Sequence, residues 1–163
     1  MSELRGKNVV VVGGSQGVGR ETVGMARAAG AQVLAVARRE NLLAELAEQM
    51  PGVRTLSADA TEDNAADRVF GALTPDVLVL CGGTFPAQGR ITDLTWEEFS
   101  GVWNTDLKAS FQFCQAALRK PLAPGSTVVI VSSGAGIGGS FISGGYAGAK
   151  RMQMFLAQYC QKQ

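Results

Sequence analysis

Apolar residues along this chain fall in short bursts separated by glycine-rich or charged stretches. The first burst, Val9-Val10-Val11-Val12, is β-branched throughout, which suits a strand buried on both faces of a sheet. It breaks into Gly13-Gly14-Ser15-Gln16-Gly17-Val18-Gly19, so a tight turn and a helix over 17–29 follow, stopped by Gly30. A second strand is predicted over 32–37. The charged turn Arg38-Arg39-Glu40 leads into a helix over 41–50, where Leu42, Leu43 and Leu46 share a face and Pro51-Gly52 ends it. A short strand over 53–57, a helix over 59–73 with Val69, Phe70 and Leu73 inward, and a buried strand over 76–80 continue the alternation. Thr95 and Glu98 have capping-box spacing for a long helix over 95–119, ended by Pro121 and Pro124. A fifth strand over 127–131, a Gly- and Ser-rich segment over 132–145 and a helix over 146–159 follow.

Strands alternating with helices predict an α/β fold: a doubly wound parallel sheet of five strands in three layers, forming one domain over 1–163. Ligands of such sheets bind at the carboxyl edge. Strands end there in the first glycine turn, in Cys81-Gly82-Gly83-Thr84 and in the 132–145 segment, whose composition predicts a mobile active-site loop. In the first turn Gly13 turns the chain, Gly17 lets a ligand approach the backbone and Gly19 lets the helix pack close on the strand. The helix start then offers free N–H groups to an anion. The spacing Gly-x-x-x-Gly-x-Gly differs from the Gly-x-Gly-x-x-Gly dinucleotide fingerprint, and these glycines also suit a sharp turn that binds nothing.

Composition narrows the classes of function. With 163 residues, 46% of them hydrophobic, the chain can bury a sizeable core. Its formal net charge of +1 and scattered basic residues give no electrostatic footprint for nucleic acid or an anionic membrane. Residues 1–7 lack the apolar core of a secretory signal, and no apolar run reaches the length of a membrane span. Cys81, Cys114 and Cys160 are odd in number and far apart, which predicts no disulfide framework, no metal site and reduced thiols in the cytoplasm. Histidine is absent, so acid–base chemistry must come from Tyr, Lys, Asp, Glu or Cys.

The candidate chemistry is Ser133 with Tyr146 and Lys150. Tyr and Lys four apart on a helix share a face, and an ammonium beside a phenol favours its anionic form. That makes a usable acid and base. Ser133, at a strand end, is placed to donate a hydrogen bond to a substrate oxygen beside the phenol.

Through these residues the chain resembles the short-chain dehydrogenase/reductase family, whose fold is Rossmann-type. The stretch from Gly13 to Gly19 is similar to that family's Thr-Gly-x-x-x-Gly-x-Gly turn, with Val12 at the threonine. Ser133, Tyr146 and Lys150 match its serine, tyrosine and lysine at spacings of thirteen and four. The resemblance runs from Leu4 to Tyr159. It implies hydride transfer between a nicotinamide cofactor and a small carbonyl or alcohol substrate. Tyr146 would then exchange the proton, Ser133 would orient the substrate and Lys150 would also bind the nicotinamide ribose. Gly13, Ser15, Gln16, Gly17, Val18, Gly19, Gly83 and Tyr146 would contact the cofactor.

An acidic residue at the end of the second strand reads a ribose 2′-hydroxyl, whereas a guanidinium there suits a 2′-phosphate. Arg38 and Arg39 stand in that place, so NADP is expected over NAD, with Ser15 and Gln16 as further partners; Glu40 weakens the preference, and the arginines also suit a solvated turn. Asp59 resembles the family's adenine-contacting aspartate and equally suits an N-cap or loop carboxylate.

Three departures from the family pattern bear on activity. Leu80-Cys81-Gly82-Gly83 replaces Asn-Asn-Ala-Gly, and the active-site asparagine position falls on Asp106, with Asn104 facing elsewhere on a regular helix. An ionised Asp106 would oppose a tyrosinate and compete for Lys150, so reduced activity or a shifted pH optimum is expected. Family members also continue past the Tyr-Lys helix into further strands, without which the fifth strand is an open edge. Two outcomes stay open: a shortened chain that binds NADP with little turnover, or a homo-oligomer in which the apolar faces of the last two helices cover the edge.

Overall fold

The computed structural model describes residues 4–120 and 122–162; the first three residues, Pro121 with its expected role as a helix stop, and Gln163 lie outside it. The elements are β1 (Asn8–Val12), α1 (Gly17–Ala28), β2 (Gln32–Ala37), α2 (Glu40–Gln49), β3 (Arg54–Ser57), α3 (Ala65–Ala72) and β4 (Val77–Leu80). They continue as α4 (Trp96–Val102), a π-helical turn (Trp103–Leu107), α5 (Lys108–Arg119), β5 (Thr127–Ile130), α6 (Ala135–Gly138) and α7 (Tyr146–Gln161).

The five strands are parallel in the order β3-β2-β1-β4-β5. Side chains alternate across each strand, so an unbroken apolar run fills both faces. Val10, Val12, Leu34, Val36, Leu78 and Leu80 pack with Phe70 of α3, Phe113 of α5 and Leu156 of α7. Val9, Val11, Val33, Ala35 and Val79 form the opposite core with Val23 of α1 and Leu43 and Leu46 of α2. Three layers result. Among the described residues β5 pairs with β4 alone, and Val129 at that edge is 41% exposed.

Two predicted helices are corrected. The helix expected over 59–73 is α3, which begins at Ala65. Asp59 Oδ1 instead accepts the Thr61 backbone N–H at 2.9 Å and the Thr61 hydroxyl at 2.8 Å, a local turn that competes with helix. The helix expected over 95–119 starts on its capping box: the Glu98 N–H donates to Thr95 Oγ1 and the Thr95 N–H to Glu98 Oε2. The π-helical turn then interrupts it at Trp103–Leu107. The glycine-rich segment carries the short α6, and a bridge between Gly89 and Ser143 ties it to the loop after β4.

The first glycine turn is fixed by close approach. Gly13 has φ +84°, and a Cβ there would lie 2.5 Å from the Gly82 nitrogen; a Cβ on Gly19 would lie 2.1 Å from the Gly13 carbonyl oxygen. A methyl group at Gly19 must push α1 off β1. Gly19→Ala is therefore expected to destabilise the chain by about 1–3 kcal/mol. Urea unfolding would register this as a lower midpoint with an unchanged slope.

Candidate active site

A cavity of about 730 Å³ opens at the carboxyl edge of the sheet, a size suited to a small molecule or cofactor. It sits where the strand order reverses between β1 and β4, the crevice in which open α/β sheets take their ligands. Every site residue expected from the sequence lines it except Ser133.

At one end stand Arg38, Arg39 and Asp59. Arg38 Nη1 lies 4.0 Å from Asp59 Oδ2, and Arg39 donates from Nη2 to Gln16 Oε1. The Thr61 backbone N–H holds the Asp59 carboxyl below its ordinary range; burial opposes this, and Arg38 adds a smaller lowering. The middle of the cavity is the start of α1. Gly17 has φ +53° with nothing within 4 Å of where its Cβ would be, and the N-cap residue Gln16 makes no side-chain hydrogen bond to the helix start. The first-turn N–H groups lack a side-chain acceptor, as an anion site requires.

At the other end the π-helical turn brings Asp106 inward. Its side chain is 1% exposed and that of Lys150 is 7% exposed, and Lys150 Nζ lies 2.9 Å from Asp106 Oδ2. Asp106 Oδ1 accepts the Thr84 backbone N–H at 2.9 Å and the Thr105 hydroxyl at 3.0 Å. No aligned hydrogen-bond donor reaches Oδ2, so the ammonium is its charge partner. Lys150 Nζ is also 5.4 Å from the centroid of the Tyr146 ring. The competition for Lys150 expected of Asp106 is thus present in the geometry, and Asn104 is exposed on the outer side of the turn.

Ser133 does not line the cavity. Its Oγ accepts the Ala135 N–H at 3.2 Å at the start of α6, while Ser132 lines the cavity and donates from Oγ to the Lys150 carbonyl at 2.8 Å. Sequence spacing measures distance along the chain and not the face a residue takes. The alternation continuing from Val128 and Ile130, which pack on the α5 and α7 side, was the available signal for Ser132. Trp103 was also missed: its indole Nε1 donates to the Gly145 carbonyl at 2.8 Å and packs on Gly148, seating the start of α7.

The residues fit a nicotinamide dinucleotide phosphate at two places, an uncapped helix start beside open space at Gly17 and a pair of arginines at the end of β2. At the Tyr146 end they fit less freely, because Lys150 is engaged by Asp106.

A doubly wound parallel sheet with a cavity so placed defines a Rossmann-type α/β protein. Residues 7–163 match the family model described as short chain dehydrogenase, and the chain belongs to that family. L-xylulose reductase of Mesocricetus auratus is 31% identical over 129 residues, covering 79% of this chain and 53% of that protein. Carbonyl reductase (NADPH) 2 of Sus scrofa is 30% identical over 130 residues, covering 78% and 53%. A Brucella melitensis crystal structure named as a short-chain dehydrogenase/reductase, glucose/ribitol dehydrogenase, matches at 20% identity with a TM-score of 0.90, covering 99% of this chain and 71% of that one. It shares the fold. The chain spans about half the length of the curated relatives it matches. Among the described residues no helix is long and apolar enough to cross a membrane.

Proposed function

We propose that this chain carries the cofactor site and acid–base residues of an NADP-dependent reductase that interconverts a carbonyl and an alcohol. The observation that carries the reading is one continuous cavity with Arg38 and Arg39 at one end, the α1 start in the middle and Tyr146 with Lys150 at the other. A bound nicotinamide supplies or accepts the hydride. The remaining work falls to the chain. Tyr146 gives its hydroxyl proton to the forming alkoxide in reduction and takes it back in oxidation. Lys150, over the ring, faces the side chain that exchanges the proton and has donors for ribose hydroxyls. Ser132, which lines the cavity, and Ser133 next to it are the hydroxyls proposed to orient the substrate oxygen.

The arginines decide the choice of cofactor. Thermal unfolding with each dinucleotide is expected to give a larger upward shift for NADPH than for NADH, since a ligand that binds only the folded state stabilises it. Arg38→Leu is expected to weaken NADPH binding by about tenfold to a hundredfold, the worth of a charge-assisted hydrogen bond, and to leave NADH binding unchanged. Equal losses for both cofactors would count against Arg38 as the 2′-phosphate reader.

A second reading is favoured by the Asp106–Lys150 pair: an NADP-binding protein with little turnover. NADPH binding without oxidation of NADPH by any ketone or aldehyde would select it. Exposed Phe111, Leu118, Phe155 and Tyr159 on α5 and α7 support a homo-oligomer through these helices, and free thiols support a cytoplasmic setting.

A further inference from the structure

Beyond the Asp106–Lys150 pair, α5 and α7 continue in contact along a seam with helical spacing. Gln153 of α7 donates from Nε2 to Ser110 Oγ at 2.8 Å and to the Asp106 carbonyl at 3.2 Å. Further along, Cys114 and Cys160 line a second cavity of about 280 Å³ between α5, β5 and α7. Cys114 is buried in the core, and Cys160 is partly buried against that same core. Two nucleophilic side chains from different helices thus meet at a small cavity that the proposed reductase chemistry does not use.

We propose that Cys114 and Cys160 form a dithiol modification site, which hydrogen peroxide converts into an intrachain disulfide joining α5 to α7 and a dithiol reductant reopens. Burial first, and then the neighbouring Cys160 thiol, push the Cys114 thiol up to about 12. Cys114 is therefore scarcely ionised near neutrality, and the more accessible Cys160 reacts first. Its sulfur attacks the peroxide: an S–O bond forms, the O–O bond breaks and water leaves, giving a sulfenic acid. Cys114 sulfur then attacks Cys160 sulfur; the S–S bond forms, the S–O bond breaks, and the departing hydroxide takes the Cys114 proton as a second water. Two thiols lose two electrons and one peroxide becomes two waters. Cys81 lines the larger cavity and serves as the reference thiol.

The inference is independent of the reductase reading. The reduced full chain, freed of reductant, is titrated with hydrogen peroxide, unfolded in an alkylating reagent and read by intact mass and peptide mapping. The expected result is a loss of about 2 Da, a fall from three alkylated cysteines to one, and a linked Cys114–Cys160 peptide, all reversed by dithiothreitol. Cys160→Ser, at a partly exposed position, is expected to keep Cys114 alkylatable at the same peroxide dose. Oxygen adducts on Cys160 with Cys114 still alkylatable would overturn the proposal. So would disulfides between chains, or no reaction at either residue.

Discussion

Replacing Tyr146 by Phe is expected to lower the rate of carbonyl reduction by about 10²–10⁴-fold, the usual worth of a positioned general acid, while the NADPH-induced rise in melting temperature persists. The substitution removes one oxygen and keeps the ring, which stays beneath Lys150 at the start of α7. Tyr146 is only partly buried, so the fold should lose little stability. NADPH consumption with a reactive ketone measures the first quantity and thermal unfolding with NADPH the second. Because the loss concerns proton transfer, the apparent affinity for the cofactor should not move. Undiminished turnover would remove Tyr146 from the chemistry, whereas loss of the thermal shift would mean the ring holds the cofactor and not the proton.

What the sequence made legible follows from which forces act locally. The buried run from Val33 to Val36, set between Gly30 and Arg38, has no other way to satisfy its apolar side chains, and β2 is found over the predicted residues. The capping box at Thr95 and Glu98 is written within four residues and is also found. The start of α3 was misplaced because Asp59 has two local choices, a helix cap or a turn onto Thr61, and the turn keeps its carboxylate at the cavity beside Arg38. The π-helical turn was not legible at all. No proline or glycine lies within Trp103–Leu107, and the extra residue in that turn is held by partners remote in sequence: Gly145 for Trp103, Thr84 and Lys150 for Asp106. Its effect reaches the chemistry, since the turn carries a carboxylate into the site.

That carboxylate makes Asp106→Asn the second informative substitution, with two opposed effects expected from one atom. An amide keeps an oxygen for the Thr84 N–H but withdraws the negative charge 2.9 Å from Lys150. A buried ammonium then loses its ion partner, and stability of the cofactor-free chain should fall. Complete removal of one member of a buried pair costs about 3–5 kcal/mol, and the retained amide oxygen limits the loss to about 1–3 kcal/mol. Catalysis should move the other way. With the Asp106 charge gone, the Lys150 ammonium is free to face the Tyr146 oxygen and to reach ribose hydroxyls, so alcohol oxidation should rise. Urea unfolding of the cofactor-free variant and the rate of alcohol oxidation separate the two effects. A variant that is less stable with an unchanged rate would confine Asp106 to holding the π-helical turn. One that gains activity would mark the carboxylate as the brake on this site.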